Sequence, residues 1–174
     1  MYRKFIAFII LFQALSVPLV YAQESGYRYT QALEAVNAHD ENTAFMHFRS
    51  LLADFPDSRY AELALFATAE YYFSVADYQD SWQDFSRFVN DYPDSRGKLF
   101  ALAYLLNIAG KQNKEALVKG LEKEIVLFRQ MTFLFRNSKE FKYTSALRKK
   151  YKAVYYIDKI EFYVNNELYA KISY

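Results

Sequence analysis

A five-residue motif occurs twice in this chain at a fixed offset. Phe55-Pro56-Asp57-Ser58-Arg59 recurs 37 residues later as Tyr92-Pro93-Asp94-Ser95-Arg96. The similarity extends outward, in the pairs Ala32 and Ala69, Asp40 and Asp77, Phe48 and Phe85, Asp54 and Asp91, Ala64 and Ala101, Leu65 and Leu102. A period of this length is typical of stacked helical hairpins, because one hairpin cannot bury its apolar face alone. The sequence therefore predicts a mainly α solenoid of about three helical hairpins.

Proline and capping residues indicate where these helices end and begin. Proline ends a helix because it lacks an amide hydrogen, and the Asp-Ser pair that follows can accept hydrogen bonds from the first free amides of the next helix. Apolar residues fall three and four apart between these points, as at Phe45, Phe48 and Leu52. We predict helices over 25–38, 41–54, 58–75, 78–91, 95–109 and 112–131.

Positions within each copy follow one pattern of large, small, aromatic and proline residues. The second copy has it at Leu65, Ala69, Tyr72, Ser81, Phe85 and Pro93, and the first copy at Ala32, Ala44, Phe48, Leu51 and Pro56. The third copy is shorter and lacks the proline, with Leu102, Leu106 and Ala109. This pattern resembles the tetratricopeptide repeat, in particular that of periplasmic proteins similar to BamD and CpoB (YbgF-type), whose repeats end in a Tyr-Pro-Asp-Ser turn. Arg28 and Ala35 depart from the aromatic positions, and the lipobox cysteine of the BamD lipoprotein is absent.

The resemblance implies a protein-binding scaffold, and the repeat spacing indicates which residues face inward. The first helix of each pair lines the concave face of such a solenoid. Candidate partner-binding residues on that face are Tyr29, Leu33, Phe66, Glu70, Phe73, Phe100 and Asn107. The alternative is that the C-terminal segment of the chain itself fills this face and leaves those rings in the core.

The first 22 residues have the layout of a secretory signal peptide. Arg3 and Lys4 precede a 13-residue apolar run from Phe5 to Val17, and small residues lead up to Ala22. The run is short of the ~20 residues needed to cross a bilayer. We expect cleavage after Ala22 and export to the periplasm, with secretion as the alternative, and no later membrane-spanning segment. Without cysteine, we expect neither disulfides nor a lipobox lipid anchor.

The last third of the chain, residues 132–174, follows the repeat region of residues 23–131. Residues 137–150 predict a basic helix. From Lys152 the β-branched and aromatic residues alternate, which predicts a small hairpin of 153–164 with 168–174 around Asn165-Asn166. This hairpin either caps the solenoid or offers an edge to a partner strand.

The hairpin register can be argued from the pattern of apolar residues. A two-residue loop would pair Phe162 with Tyr169. A three-residue loop that includes Glu167 would instead form the pairs Val164 and Leu168, Phe162 and Ala170, Ile160 and Ile172. We prefer the second register because it gathers the apolar side chains on one face.

Charge is distributed unevenly along the sequence. Residues 23–96 contain 13 acidic and 5 basic side chains, whereas residues 97–174 contain 7 acidic and 15 basic ones. Such a split favours docking guided by charge, including self-association, although solvated helix faces explain it equally well. The one basic cluster is a candidate anionic contact or a solvated helix end, and it consists of Arg148, Lys149, Lys150 and Lys152.

Residues that carry chemistry are scarce. There is no cysteine and no Gly-x-Ser-x-Gly motif, the four glycines form no phosphate-binding loop, and His39 and His47 lack a metal-ligand spacing. We therefore predict a non-enzymatic envelope protein without cofactor, metal or nucleic-acid partner, similar to proteins of outer membrane assembly, which binds other envelope proteins or peptides. The alternative function is a self-assembling structural subunit of an envelope secretion or motility machine.

Overall fold

The computed structural model describes residues 21–136 and 139–173, and the chain divides into two compact units, up to Ala64 and from Leu65. Residues 1–20 of the predicted signal peptide lie outside the described residues. Residues 21 and 22 are the first described residues of helix α1, which is helical over 21–37. The other helices are α2 (Glu41–Asp54), α3 (Ala61–Ser74), α4 (Tyr78–Asp91), α5 (Lys98–Lys111) and α6 (Glu115–Arg136).

Three interhelical turns repeat the same backbone geometry. His39, Ala76 and Asn113 follow one another at intervals of 37 residues, and all three have a left-handed φ, of 58°, 61° and 53°. In each turn one amide also donates a hydrogen bond of 2.9–3.0 Å to the carbonyl five residues earlier. This is the hydrogen bond that defines the Schellman motif at the C-terminus of a helix. The 37-residue period therefore extends to a third hairpin, α5–α6, although its terminal proline is missing.

Side-chain caps follow the same period. Asp40 accepts a hydrogen bond from the Thr43 amide at 3.0 Å, and Asp77 accepts one from the Asp80 amide at 3.2 Å. These caps explain why α2 and α4 have the predicted bounds. The predicted starts of α3 and α5 were three residues early, because the Pro-Asp-Ser turn is followed by a second turn. In that turn the Ala61 amide bonds the Ser58 carbonyl and the Lys98 amide bonds the Ser95 carbonyl.

Helix α5 lies in the core of the second unit. It is apolar on all sides, which is typical of a helix that is covered all round, and it packs against both α4 and α6. The largest fully buried side chains of this unit are Leu65, Phe66, Phe85, Phe88, Leu99, Phe100, Leu102, Ile108, Ile125 and Phe162. None of the described helices is both long enough and apolar enough to span a membrane.

The C-terminal region is a four-stranded antiparallel sheet in the order β1-β2-β3-β4. Its strands are β1 (Glu140–Thr144), β2 (Lys150–Tyr155), β3 (Lys159–Val164) and β4 (Glu167–Ser173). The mainly α fold class with C-terminal β structure is confirmed, but the basic helix over 137–150 is wrong where the residues are described. Phe141 and Tyr143 alternate with polar residues and stack on Phe100 at centroid distances of 6.0 Å, and a strand places both rings on one face.

The β3–β4 hairpin combines both registers considered from the sequence. Asn165 and Asn166 form a two-residue turn with left-handed φ of 50° and 70°, so that Val164 pairs with Glu167 rather than with Leu168. A β-bulge next to Phe162 then shifts the pairing to Phe162 with Ala170 and Ile160 with Ile172. The preferred pairs at these two positions are confirmed, and Tyr169 is the extra residue of the bulge.

Candidate binding face and cleft

Two of the predicted partner-binding residues lie in the first unit. Tyr29 is half-buried on α1, where it stacks on Tyr60 at 4.5 Å and contacts Phe48 at 6.0 Å. Burial, followed by the nearby Tyr60, raises the pKa of Tyr29. Leu33, one turn further along α1, is also half-buried. These two side chains therefore keep part of their surface open.

Three others, Phe66, Glu70 and Phe100, are buried in the second unit. Phe66 is 0% and Phe100 is 1% exposed. The Phe66 ring has edge contacts within 5.8 Å with helix and sheet rings, from Phe85, Phe88, Tyr143 and Tyr151. The C-terminal sheet thus covers this part of the face, which is the alternative that the sequence left open. Here the rings hold the sheet on the helices.

A buried chain of hydroxyl and carboxyl groups joins α3 and α5 to the sheet. The Tyr151 hydroxyl on β2 donates to Glu70 Oε1, and the Tyr104 hydroxyl on α5 lies 2.8 Å from the Tyr151 hydroxyl. Glu70 is 0% exposed. Burial is the largest cause that raises the pKa values of Tyr104 and Tyr151, and the nearby Glu70 charge raises both further. Both phenols therefore stay protonated well above the pH at which a free tyrosine ionises.

We expect the second unit to lose stability at alkaline pH because of these tyrosines. The unfolded chain releases the protons of Tyr104, Tyr151 and Tyr169 above a pKa of about 10, whereas the folded state retains them. The contribution of these three tyrosines to the free energy of unfolding should thus be constant below about pH 9 and fall as the pH rises beyond about 10. Urea unfolding across this range measures the loss, with tyrosinate absorbance recorded in parallel. Full titration of these residues near pH 10 without any loss of stability would contradict the expectation.

A cleft of about 360 Å³ opens beside the covered part of the face. Three aromatic rings form one wall, with centroid distances of 4.8 Å from Phe73 to Tyr104, 5.0 Å from Tyr104 to Tyr169 and 6.0 Å from Phe73 to Tyr169. The remaining lining comes from Lys149, Val164, Asn165, Glu167 and Leu168. Of the predicted face residues, Phe73 is the one that lines this cleft. Asn107 lies one turn beyond Tyr104, half-buried, and its Oδ1 is a buried atom without a hydrogen-bond partner among the described residues.

The basic cluster lies on the sheet instead of on a helix. Arg148 and Lys149 lie in the β1–β2 turn, where Arg148 has a left-handed φ of 61°. Lys150 and Lys152 alternate on β2 with buried Tyr151, and the Lys152 ammonium lies 4.7 Å from the centre of the Tyr163 ring. The four side chains are thus divided, with Lys149 at the cleft and the two β2 lysines on the sheet face away from Tyr151.

A carboxylate network lies on that same side of the sheet. Glu161 is 9% exposed, and its carboxylate accepts hydrogen bonds of 2.7 Å from Lys159 Nζ and from the Tyr163 hydroxyl. The bonds from Lys159 and Tyr163 lower the pKa of Glu161 to about 2, and the bond to Glu161 raises the pKa of Tyr163 to about 12. This network holds a buried charge in place.

The described residues offer no grouping of metal ligands. Across 21–136 and 139–173, no three His, Asp or Glu side chains lie close enough together to hold an ion. His39 is exposed in the α1–α2 turn and His47 is half-buried on α2.

The family model YfiO, described as an outer membrane lipoprotein, matches residues 22–166. The matched segment includes the helical hairpins and the sheet as far as the β3–β4 turn. No curated protein matches the chain.

Proposed function

The chain belongs to the YfiO family, whose description is outer membrane lipoprotein, and we propose that it holds other envelope proteins together during outer membrane assembly. Helical hairpins of this kind provide a surface for other polypeptides. The observation that carries the proposal is the aromatic cleft beside the covered face, because concave aromatic surface is typical of binding sites. The buried polar groups at the centre of the face serve the fold, which favours binding over catalysis.

We propose that the partner-binding residues have two different roles. Tyr29 and Leu33 in the first unit, and Phe73 and Asn107 in the second, keep exposed surface and contact partners directly. Phe66, Glu70 and Phe100 act indirectly, because they fix the sheet whose turns form the other wall of the cleft.

The proposed compartment is the periplasm, after export and signal cleavage at Ala22. The 174 residues include no cysteine to which a thioether-linked lipid could be attached. We therefore propose that partner proteins, rather than a lipid on these residues, bring the protein to the outer membrane.

Site-specific crosslinking in the native cells tests the scaffold role. A photoreactive amino acid replaces one exposed apolar residue at a time, at Met46, Leu117, Ile157 and Leu168, which are 61%, 43%, 94% and 57% exposed. We expect at least one position to crosslink to a small, reproducible set of envelope proteins, identified by mass spectrometry. Because these side chains already face solvent, the replacements should leave the fold intact.

The outcome also separates the scaffold from the self-assembling subunit. Crosslinks that form only between copies of this chain would favour self-assembly. Salt should weaken such crosslinks, because residues 23–96 have a net charge of −8 and residues 97–174 one of +8. The absence of any discrete crosslinked protein at all four positions would overturn the scaffold proposal.

A further inference from the structure

The aromatic cleft has chemistry that selects among peptide ligands. We infer that it binds an acidic peptide segment that carries one aromatic or branched aliphatic anchor residue. The inference rests on the scaffold role and names the site and the partner chemistry for it.

The apolar wall fits a single large side chain. Phe73, Tyr104 and Tyr169 contact one another, and Val164 and Leu168 face them across about 360 Å³. A volume of this size is at the lower end of ligand pockets, which suits one anchor residue rather than a whole helix face. Aromatic or aliphatic side chains that fill such pockets supply most of the binding energy at peptide interfaces.

The rim of the cleft is basic. Lys149 lines it and the exposed Arg148 precedes Lys149 in the same turn, whereas Lys150 lies on the other face of the sheet. The ion pairs among the described residues involve other cations, such as Lys98, Lys142 and Lys159, so neither Arg148 nor Lys149 is in an ion pair within the described fold. Glu167 is the one carboxylate that lines the cleft. The surplus of positive charge attracts acidic residues next to the anchor.

A buried hydroxyl beside the cleft also lacks a partner. The Tyr169 hydroxyl oxygen is buried and makes no hydrogen bond within the described part of the chain. Buried polar atoms are nearly always paired, so such an atom indicates a place where a ligand acceptor can complete the site. Tyr169 reaches this position because it is the bulged residue of β4.

The sheet edges favour insertion of a side chain over addition of a strand. The bulge at Tyr169 interrupts the free edge of β4, and Arg96 Nη2 donates to the Lys142 carbonyl of the other edge strand at 3.2 Å. Bulges and covering groups of this kind prevent edge-to-edge pairing. A partner segment that reaches this end of the sheet therefore binds through the cleft.

Fluorescence anisotropy with three labelled peptides tests the inference on the purified full chain. The first peptide places a central Phe among Asp and Glu, the second replaces this Phe by Gly, and the third replaces the acids by Lys. We expect the first to bind at least about tenfold more tightly than either of the others, and more weakly as salt is added.

Two variants locate the binding site, each with a matched control on α6. Leu168→Trp fills the cleft and should weaken binding of the first peptide at least about tenfold, whereas Leu127→Trp, at a 51% exposed residue, should not. Lys149→Glu should weaken it at least about fivefold, whereas the same charge change in Lys119→Glu should have little effect. Lys119, Leu127 and Leu168 are exposed and Lys149 is half-buried, and unchanged unfolding midpoints would show that the fold is retained.

The results separate this inference from the scaffold proposal. Equal binding of the three peptides, or full binding by Leu168→Trp, would overturn the cleft inference. Partner crosslinks from Met46, Leu117 or Ile157 together with either of these results would leave the scaffold role standing. Selective peptide binding by the purified protein without any envelope crosslinks would support the cleft and overturn the scaffold.

Discussion

Phe66→Ala is expected to lower the free energy of unfolding by about 3–5 kcal/mol, as other buried Phe→Ala substitutions do. Phe66 is 0% exposed and lies where α3, α4, α5 and the sheet meet. The Gly97 backbone also packs closely on this ring, since a Cβ at that position would lie 3.2 Å from Phe66 and 3.0 Å from Phe88. The substitution therefore removes apolar contacts and leaves a cavity. Urea denaturation followed by circular dichroism measures the loss.

Phe73→Ala is the matched control for this experiment. Phe73 lies two turns further along α3 and is half-buried at the edge of the cleft, so its loss should cost clearly less stability. A decrease below about 1.5 kcal/mol for Phe66→Ala would show that the ring is not a core residue. The comparison also matters for binding assays, since Phe66→Ala tests folding whereas Phe73→Ala tests the cleft.

The helical part of the fold could be predicted because its determinants are local. A left-handed residue, an Asp cap and a Pro-Asp-Ser turn recur at one period, and each acts through hydrogen bonds within a few residues. The error at the starts of α3 and α5 has the same local origin. Ser58 and Ser95 resemble helix caps in sequence, but they begin one more turn before the helix.

Strand β1 could not be predicted with the same rules. The sequence is compatible with both elements here. Phe141 and Ala146 could form the apolar side of a helix, whereas Phe141 and Tyr143 could form one face of a strand. The choice between the two depends on Phe100 and Phe66, which are distant in sequence and offer a surface for Phe141 and Tyr143 together. Tertiary contacts thus outweigh local periodicity here.

The candidate site was only partly predictable for the same reason. Repeat spacing indicated that Phe66, Glu70 and Phe73 share a face of α3, but it could not show that a sheet covers the first two. The preferred three-residue loop places Tyr169 on the face opposite to Ala170 and Ile172, because strict alternation assumes a regular strand. The bulge interrupts that alternation. The bulge places the third ring of the cleft beside Tyr104.

Tyr151→Phe is expected to cost about 2–3 kcal/mol although it removes only one oxygen atom. That oxygen donates to the Glu70 carboxylate and lies 2.8 Å from the Tyr104 hydroxyl, and all three side chains are at least 96% buried. Its loss removes a hydrogen bond to a buried charge, and water cannot reach the site to replace it. The ring itself keeps its packing against Phe66 and Phe100. Urea unfolding at neutral pH measures the change.

Two further variants distinguish this explanation from a general effect of losing a hydroxyl group. Tyr27→Phe removes the hydroxyl of a tyrosine that is 58% exposed and should change stability by less than about 0.5 kcal/mol. Combining Tyr151→Phe with Glu70→Leu removes the buried carboxylate together with its donor, so the double variant should be at least about 1 kcal/mol more stable than Tyr151→Phe alone. If the double variant is instead less stable than Tyr151→Phe, the carboxylate holds the sheet to α3 through contacts that do not depend on the tyrosine.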